Sequence, residues 1–224
     1  MNKTIAHAWW WKILAMVMLF YTYYMGFLGK VPEMAILHET IRNLYFHVTM
    51  WMAMLVLMLC NAIYGIKYLS SSKLYHDLVA EECARTAMVF GAAGLLTGMI
   101  WANYTWGAPW VNDPQLNGTA ASLLIYAAYF ILRNAVQDDV KRARLGAVYS
   151  IFAFVMMIVF ILVLPKMTDS LHPGKGGNPG FNKYDLDSNM RMVFYPAVIG
   201  WTLLGVWMMS LRVRIKKIEQ LRHA

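Results

Sequence analysis

The stretch LYFHVTMWMAMLVLMLCNAIYGI, Leu44–Ile66, contains no Asp, Glu, Lys or Arg. A bilayer core is crossed by about 20 mostly apolar residues in a helix. A soluble helix of that length carries a polar face, which this stretch lacks. Five further apolar runs flank it, near Trp10–Leu28, Arg85–Tyr104, Thr119–Val136, Leu145–Leu164 and Met192–Leu211. The composition agrees: 59% of the 224 residues are hydrophobic and 14% charged. A soluble domain carries about a quarter charged residues, so a soluble globule is excluded. The expectation is an all-α integral membrane protein, one domain over 1–224 with six transmembrane helices. The first run is expected to be a retained span, because no small-residue cleavage site follows it.

Charge sets the expected orientation. Under this threading, 14 of the 20 Lys and Arg fall on the side holding both termini, while the 12 acids divide evenly. The positive-inside rule makes that side cytoplasmic, so both termini are expected inside. The net charge of +8 is thereby an orientation signal and gives no reason to expect nucleic acid. Anionic lipid at the inner loop Lys67–Arg85 and the basic tail suffices as a partner. The two cysteines, Cys60 and Cys83, form no C-x-x-C pair for metal, thiol redox or covalent haem.

Three outer segments remain. Residues 29–43 open with Val31-Pro32-Glu33 and continue Met34, Leu37, Ile41, Leu44 at helical spacing. Pro followed by an acid is a helix-start signal, so a short amphipathic surface helix is expected before the second span. Residues 101–118 read WANYTWGAPWVNDPQLNG, with Trp101, Trp106 and Trp110 and no Lys or Arg. Two readings stay open: an interfacial aromatic belt, or a flat platform for a large planar ligand on a backbone path set by Gly and Pro. Residues 165–191 form the longest loop and contain His172. Its Gly174-Lys175 lacks the upstream Gly and following Ser or Thr of a phosphate loop.

Of six histidines, His7, His76 and His223 read as solvated and His38 as a surface-helix residue. His47 opens the second span among Phe46, Val48 and Trp51, where an ionisable group is a functional candidate. The threading places His47, His172 and the tryptophans on one face. Two neutral imidazoles beside an aromatic surface are what bis-histidine haem ligation requires. Propionates would then seek Arg42, Lys166, Lys175 or Arg191.

Trp101-(x4)-Trp106-Gly107-(x2)-Trp110-(x2)-Asp113-(x2)-Leu116 resembles the tryptophan-rich WWD segment of haem-handling proteins of cytochrome c biogenesis. Within that superfamily the chain resembles the six-span haem exporter protein C family of the system I pathway. Arg42–Val48 with Trp51-Met52 resembles the segment around that family's first external histidine, and Leu171-His172-x-Gly174 the segment around its second. Ala102, Tyr104, Asn112 and Asn117 depart from the pattern, which has Gly and Pro, a further Trp and a Thr there.

The resemblance implies a non-covalent haem b cofactor held between His47 and His172 as axial iron ligands. Trp101, Trp106 and Trp110 become the platform, and Asp113 shapes the segment or meets a partner. It further implies transfer to a membrane-tethered haem chaperone, a neighbouring ATP-binding-cassette complex that supplies the energy, and a bacterial cytoplasmic (inner) membrane with the haem site on the external, periplasmic face. No nucleophile–base pair stands out, so an enzyme is not expected. The rivals are a haem-binding electron-transfer subunit, which ordinarily pairs its ligands on facing spans, and a docking subunit without haem. A transporter would carry charge within its spans, and the span interiors contain almost none.

Overall fold

The computed structural model describes residues 7–33, 37–172 and 186–222. All regular structure among them is helical. Six helices are long and apolar enough to cross a membrane. They are α1 (Trp10–Leu28), α2 (His47–Ser71), α3 (Leu74–Trp106), α4 (Pro114–Ala135), α5 (Asp139–Met167) and α6 (Ser188–Arg222). α1 matches its apolar run residue for residue, whereas α3, α5 and α6 outrun theirs. Backbone hydrogen bonding continues a helix past the hydrocarbon edge, so apolarity marks the membrane core and not the helix end. The 33 residues of α3 rise about 50 Å, well beyond a ~30 Å core.

The expected inner loop Lys67–Arg85 is therefore almost wholly helix, interrupted at Ser72, whose φ of 52° is left-handed, and Lys73. The surface helix also differs from expectation. Val31-Pro32-Glu33 lies outside any helix, and the helical part is a 3-10 helix, His38–Tyr45. Met34 lies outside the described residues, as do residues 173–185, with Lys175 and Lys183 among them, and His223. Within 101–118, Trp101–Trp106 ends α3 and Pro114–Gly118 begins α4, which leaves a short connection. Gly107 starts that connection at φ +79°, the left-handed conformation in which glycine closes a helix.

The core gathers Met54, Leu57 and Met58 of α2, Phe90 of α3, Tyr126 and Tyr129 of α4, Met157 of α5 and Trp201 of α6. α1 packs on α6, where Gly200 meets Met18 and Leu19. The central contact is α2 against α3. Gly91, Gly94 and Gly98 of α3 lie against Met54, Trp51 and His47 of α2 in antiparallel register. Three glycines on one face let large side chains of α2 reach the α3 backbone.

At the opposite end of the bundle from His47, charge is buried, which the apolar runs conceal. Arg133 of α4 is 3% exposed and holds Asp77 through two parallel hydrogen bonds of 2.6 and 2.8 Å. It also meets Glu81 at 2.9 Å, and Glu82 pairs with Arg212 of α6 at 2.5 Å. The cluster links α3, α4 and α6, and Gly146 of α5 leaves room for the guanidinium.

Candidate functional site

The chain enters α2 on a fixed path. Arg42 donates through Nη1 to the carbonyls of Gly26 (3.1 Å) and Gly29 (2.6 Å), tying the 3-10 helix to the end of α1. Asn43 donates to Thr97 O of α3 at 3.2 Å. His47 then starts α2 and its ring lies on α3, Nδ1 being 2.8 Å from Gly94 O and 3.3 Å from Thr97 Oγ1. A carbonyl only accepts, so Nδ1 carries the proton and Nε2 keeps its lone pair. A Cβ at Gly98 would stand 2.5 Å from His47 Cε1, so the ring occupies the space of the missing side chain.

Asp113 organises the second half. As N-cap of α4 its Oδ1 accepts from Gln115 N at 2.8 Å, and Pro114 follows at the first helical position. The same carboxylate reaches the chain leaving α5. It accepts from Leu171 N–H at 2.7 Å and from Ser170 Oγ at 3.2 Å, and lies 3.3 Å from His172 Nδ1. Burial raises the Asp113 pKa, but the Leu171 and Gln115 amides and His172 outweigh it and hold it below the ordinary 3.8. An ionised carboxylate only accepts, so His172 also carries its proton on Nδ1 and leaves Nε2 bare. Burial depresses the His172 pKa below 6.5 against the upward pull of Asp113, so the ring is neutral at neutral pH.

The tryptophans divide. Trp106 stands edge-on to the His172 ring at 5.0 Å between centroids and to Trp101 at 5.2 Å, and Trp101 lies 6.4 Å from His172. Trp110 is 38% exposed and, among the described residues, makes no ring contact with this group. Trp101 is three residues beyond Gly98, about 4.5 Å further along α3. Asn112 and Asn117, both departures from the resembled pattern, bond to each other at 2.8 Å.

The structure thus brings together His172, Asp113, Trp101 and Trp106, seats His47 on α3 beside Gly98, one turn before Trp101, and leaves Trp110 outside the ring contacts. Residues missed from the sequence are Gly94, Thr97 and Gly98, which seat His47, and Ser170, which shares Asp113. Small residues at 91, 94 and 98 within one span were the available signal. Arg42 is engaged with α1 and with Glu39, and Arg191 donates through Nε to Leu186 O at 2.9 Å. Lys166 is exposed. For an iron macrocycle the donor set fits, since ligating imidazoles are ordinarily oriented by a hydrogen bond from the other nitrogen. Among the described residues, no cluster of His, Cys, Asp and Glu would hold a bare metal ion.

The family model for Heme exporter protein C (CcmC) matches residues 1–224. The Heme exporter protein C of Paracoccus denitrificans is 25% identical over 191 residues, 84% of this chain and 77% of that protein. That of Rhodobacter capsulatus is 24% identical over 207 residues, covering 84% and 81%. The cytochrome c biogenesis protein CcsA of Prochlorococcus marinus subsp. pastoris is 34% identical over 101 residues, 45% of this chain and 31% of that protein. A match along its whole length, on a six-helix membrane frame, makes this chain a member of the Heme exporter protein C family, a multi-pass membrane protein that handles haem in cytochrome c maturation.

Proposed function

We propose that this protein binds haem b non-covalently between His47 and His172 at the outer membrane face and hands it to a membrane-tethered chaperone for cytochrome c assembly. The observation that carries this is the matched state of the two rings. Each has Nδ1 turned to a fixed acceptor, Gly94 O or Asp113, and each leaves Nε2 as its free donor to iron. Trp101 and Trp106 offer apolar ring faces and edges to the macrocycle beside His172. Trp110, exposed at the rim, belongs to the surface that meets the chaperone. Haem is cargo here, so the energy for release comes from an ATP-binding-cassette partner and not from this chain.

The charge distribution supports both termini on the cytoplasmic side and the histidines on the outer face, and the family likeness supports the bacterial inner membrane, which makes that face periplasmic. Visible absorption of the purified protein in mild detergent, beside His47→Ala and His172→Ala, tests the reading. A low-spin spectrum in the parent that turns high-spin in each variant is the expected result. A parent that takes up no haem on reconstitution sinks the ligand assignment and leaves a docking subunit. Haem indifferent to both substitutions moves the ligands elsewhere and favours an electron-transfer subunit.

A further inference from the structure

The outer end of α5 departs from α-helical geometry just before the chain turns toward His172. Over Val159–Val163 it is a π-helix, closed by Leu164 N–H donating to Val159 O. Such a turn inserts one residue, rotating everything downstream by about 100° relative to a continuous α-helix. The next rung of the pattern would run from residue 165 to Phe160 O, and Pro165 has no N–H to make it.

That carbonyl faces Gly118 of α4. A Cβ built on Gly118 would lie 2.5 Å from Phe160 O, 3.2 Å from its carbonyl carbon and 3.3 Å from its Cβ. α4 and α5 therefore meet backbone to backbone at this level, an approach that glycine alone permits. Gly118 is buried and lies five residues beyond Asp113, about 7.5 Å along α4. On the α5 side, Thr168 caps the last turn through Leu164 O at 2.8 Å, and Ser170, Leu171 and His172 follow directly onto Asp113. At this end of the bundle two contacts join the helices, the glycine contact below and the carboxylate clasp above, while deeper in the bundle Tyr149 Oη donates to Ile125 O at 3.0 Å.

We infer that Gly118 is a positioning residue: its contact with the Phe160 carbonyl, presented by the π-turn and Pro165, sets the gap across which Asp113 holds residues 170–172 and so fixes the His172 ring. The margin is small. An alanine methyl there must gain roughly 1 Å to reach ordinary contact with Phe160 O. The bonds from Leu171 (2.7 Å), Ser170 (3.2 Å) and His172 (3.3 Å) to Asp113 all pass the limit of hydrogen bonding on an opening of that size. The inference rests on His172 as an axial ligand only for its spectral consequence. The clasp itself is readable without haem.

The test uses the full chain in mild detergent, as parent, Gly118→Ala and His172→Ala. Amide deuterium exchange of residues 168–172 is measured without haem, and the visible spectrum after haem loading, with and without millimolar imidazole. Gly118→Ala is expected to exchange about tenfold faster at Leu171 and to show a high-spin spectrum that imidazole returns to low-spin, as in His172→Ala. Parent-like exchange and spectrum in Gly118→Ala overturn the inference. Fast exchange in a protein whose parent binds no haem upholds the glycine's role and overturns the ligand reading alone. If Gly118→Ala does not survive purification, Pro165→Ala takes its place, since its N–H draws the Phe160 carbonyl back onto α5. Unchanged exchange there overturns the inference equally.

Discussion

Asp113 and His172 are 59 residues apart in sequence, yet the carboxylate that caps α4 also receives the imidazole Nδ1 at 3.3 Å. One side chain therefore orients a candidate ligand and starts a helix. Asp113→Asn keeps an oxygen for the cap and loses the charge that fixes the ring. Removal of such an orienting partner costs about 10- to 100-fold in metal affinity. Haem titration of Asp113→Asn should show a loss in that range with helix content, read by circular dichroism, unchanged.

Acid should act through the same pair. His172 has its pKa held below 6.5, so between 6.5 and that lower value the unfolded chain takes up a proton that the folded chain refuses. Stability accordingly falls as pH drops through that window, and the depressed Asp113 carboxyl continues the loss below 3.8. The ring, with its free Nε2, stays neutral to lower pH than an ordinary histidine does. Melting temperatures between about pH 7 and 5.5 should fall less in His172→Gln than in the parent. Equal slopes would mean that the folded ring titrates as an ordinary histidine.

Gly98 and Gly91 face α2 with different neighbours, and this separates their roles. A methyl at 98 meets the His47 ring at 2.5 Å, and the ring has no freedom to yield except by leaving Gly94 O. A methyl at 91 meets the flexible ends of Met54 and Leu123. Gly98→Ala should convert low-spin haem to high-spin, and Gly91→Ala should keep the parent spectrum. Stability measured alongside should fall by about 1–3 kcal/mol in either, the usual cost of overpacking.

Trp106 touches the His172 ring and Trp110 does not. An aromatic contact is worth about 0.5–1.5 kcal/mol beyond its buried area. Trp106→Ala should weaken haem retention by about two- to tenfold, and Trp110→Ala by less than about twofold. A chaperone-transfer assay should reverse that order, if the exposed Trp110 belongs to the partner surface.

The buried Arg133 cluster predicts a stability change far from the histidines. Arg133→Leu leaves Asp77 without its partner and Glu81 with Arg85 alone, at a cost of about 3–5 kcal/mol. The melting temperature should drop by roughly 10 °C. Replacing Asp77 by leucine in the same protein, with the Glu81–Arg85 pair left intact, should recover most of the loss. Recovery would identify the cost as desolvation of unpaired charge.

Much of this protein was legible in local composition. Each apolar run located a membrane-spanning helix, because crossing lipid obliges a single segment to satisfy its own backbone. The order of His47, the Trp–Asp segment and His172 was equally plain. What composition could not locate were the helix ends, since α3 and α6 continue beyond the hydrocarbon edge. The 3-10 form of His38–Tyr45 was also hidden, because its apolar spacing suits either helix.

The amino-acid sequence by itself determined an all-helical chain of six candidate spans and the residue types of its site. The tertiary structure alone decided which of them meet. Asp113 finds His172, Gly98 gives its empty side to His47, and Arg133 buries itself on Asp77, each across a gap in sequence that no local pattern spans. The physical reason is range. Hydropathy acts residue by residue along one helix, whereas these contacts depend on two backbones approaching within a side chain's width. That approach is set by glycines and by a π-turn whose effect appears only when the helices are packed.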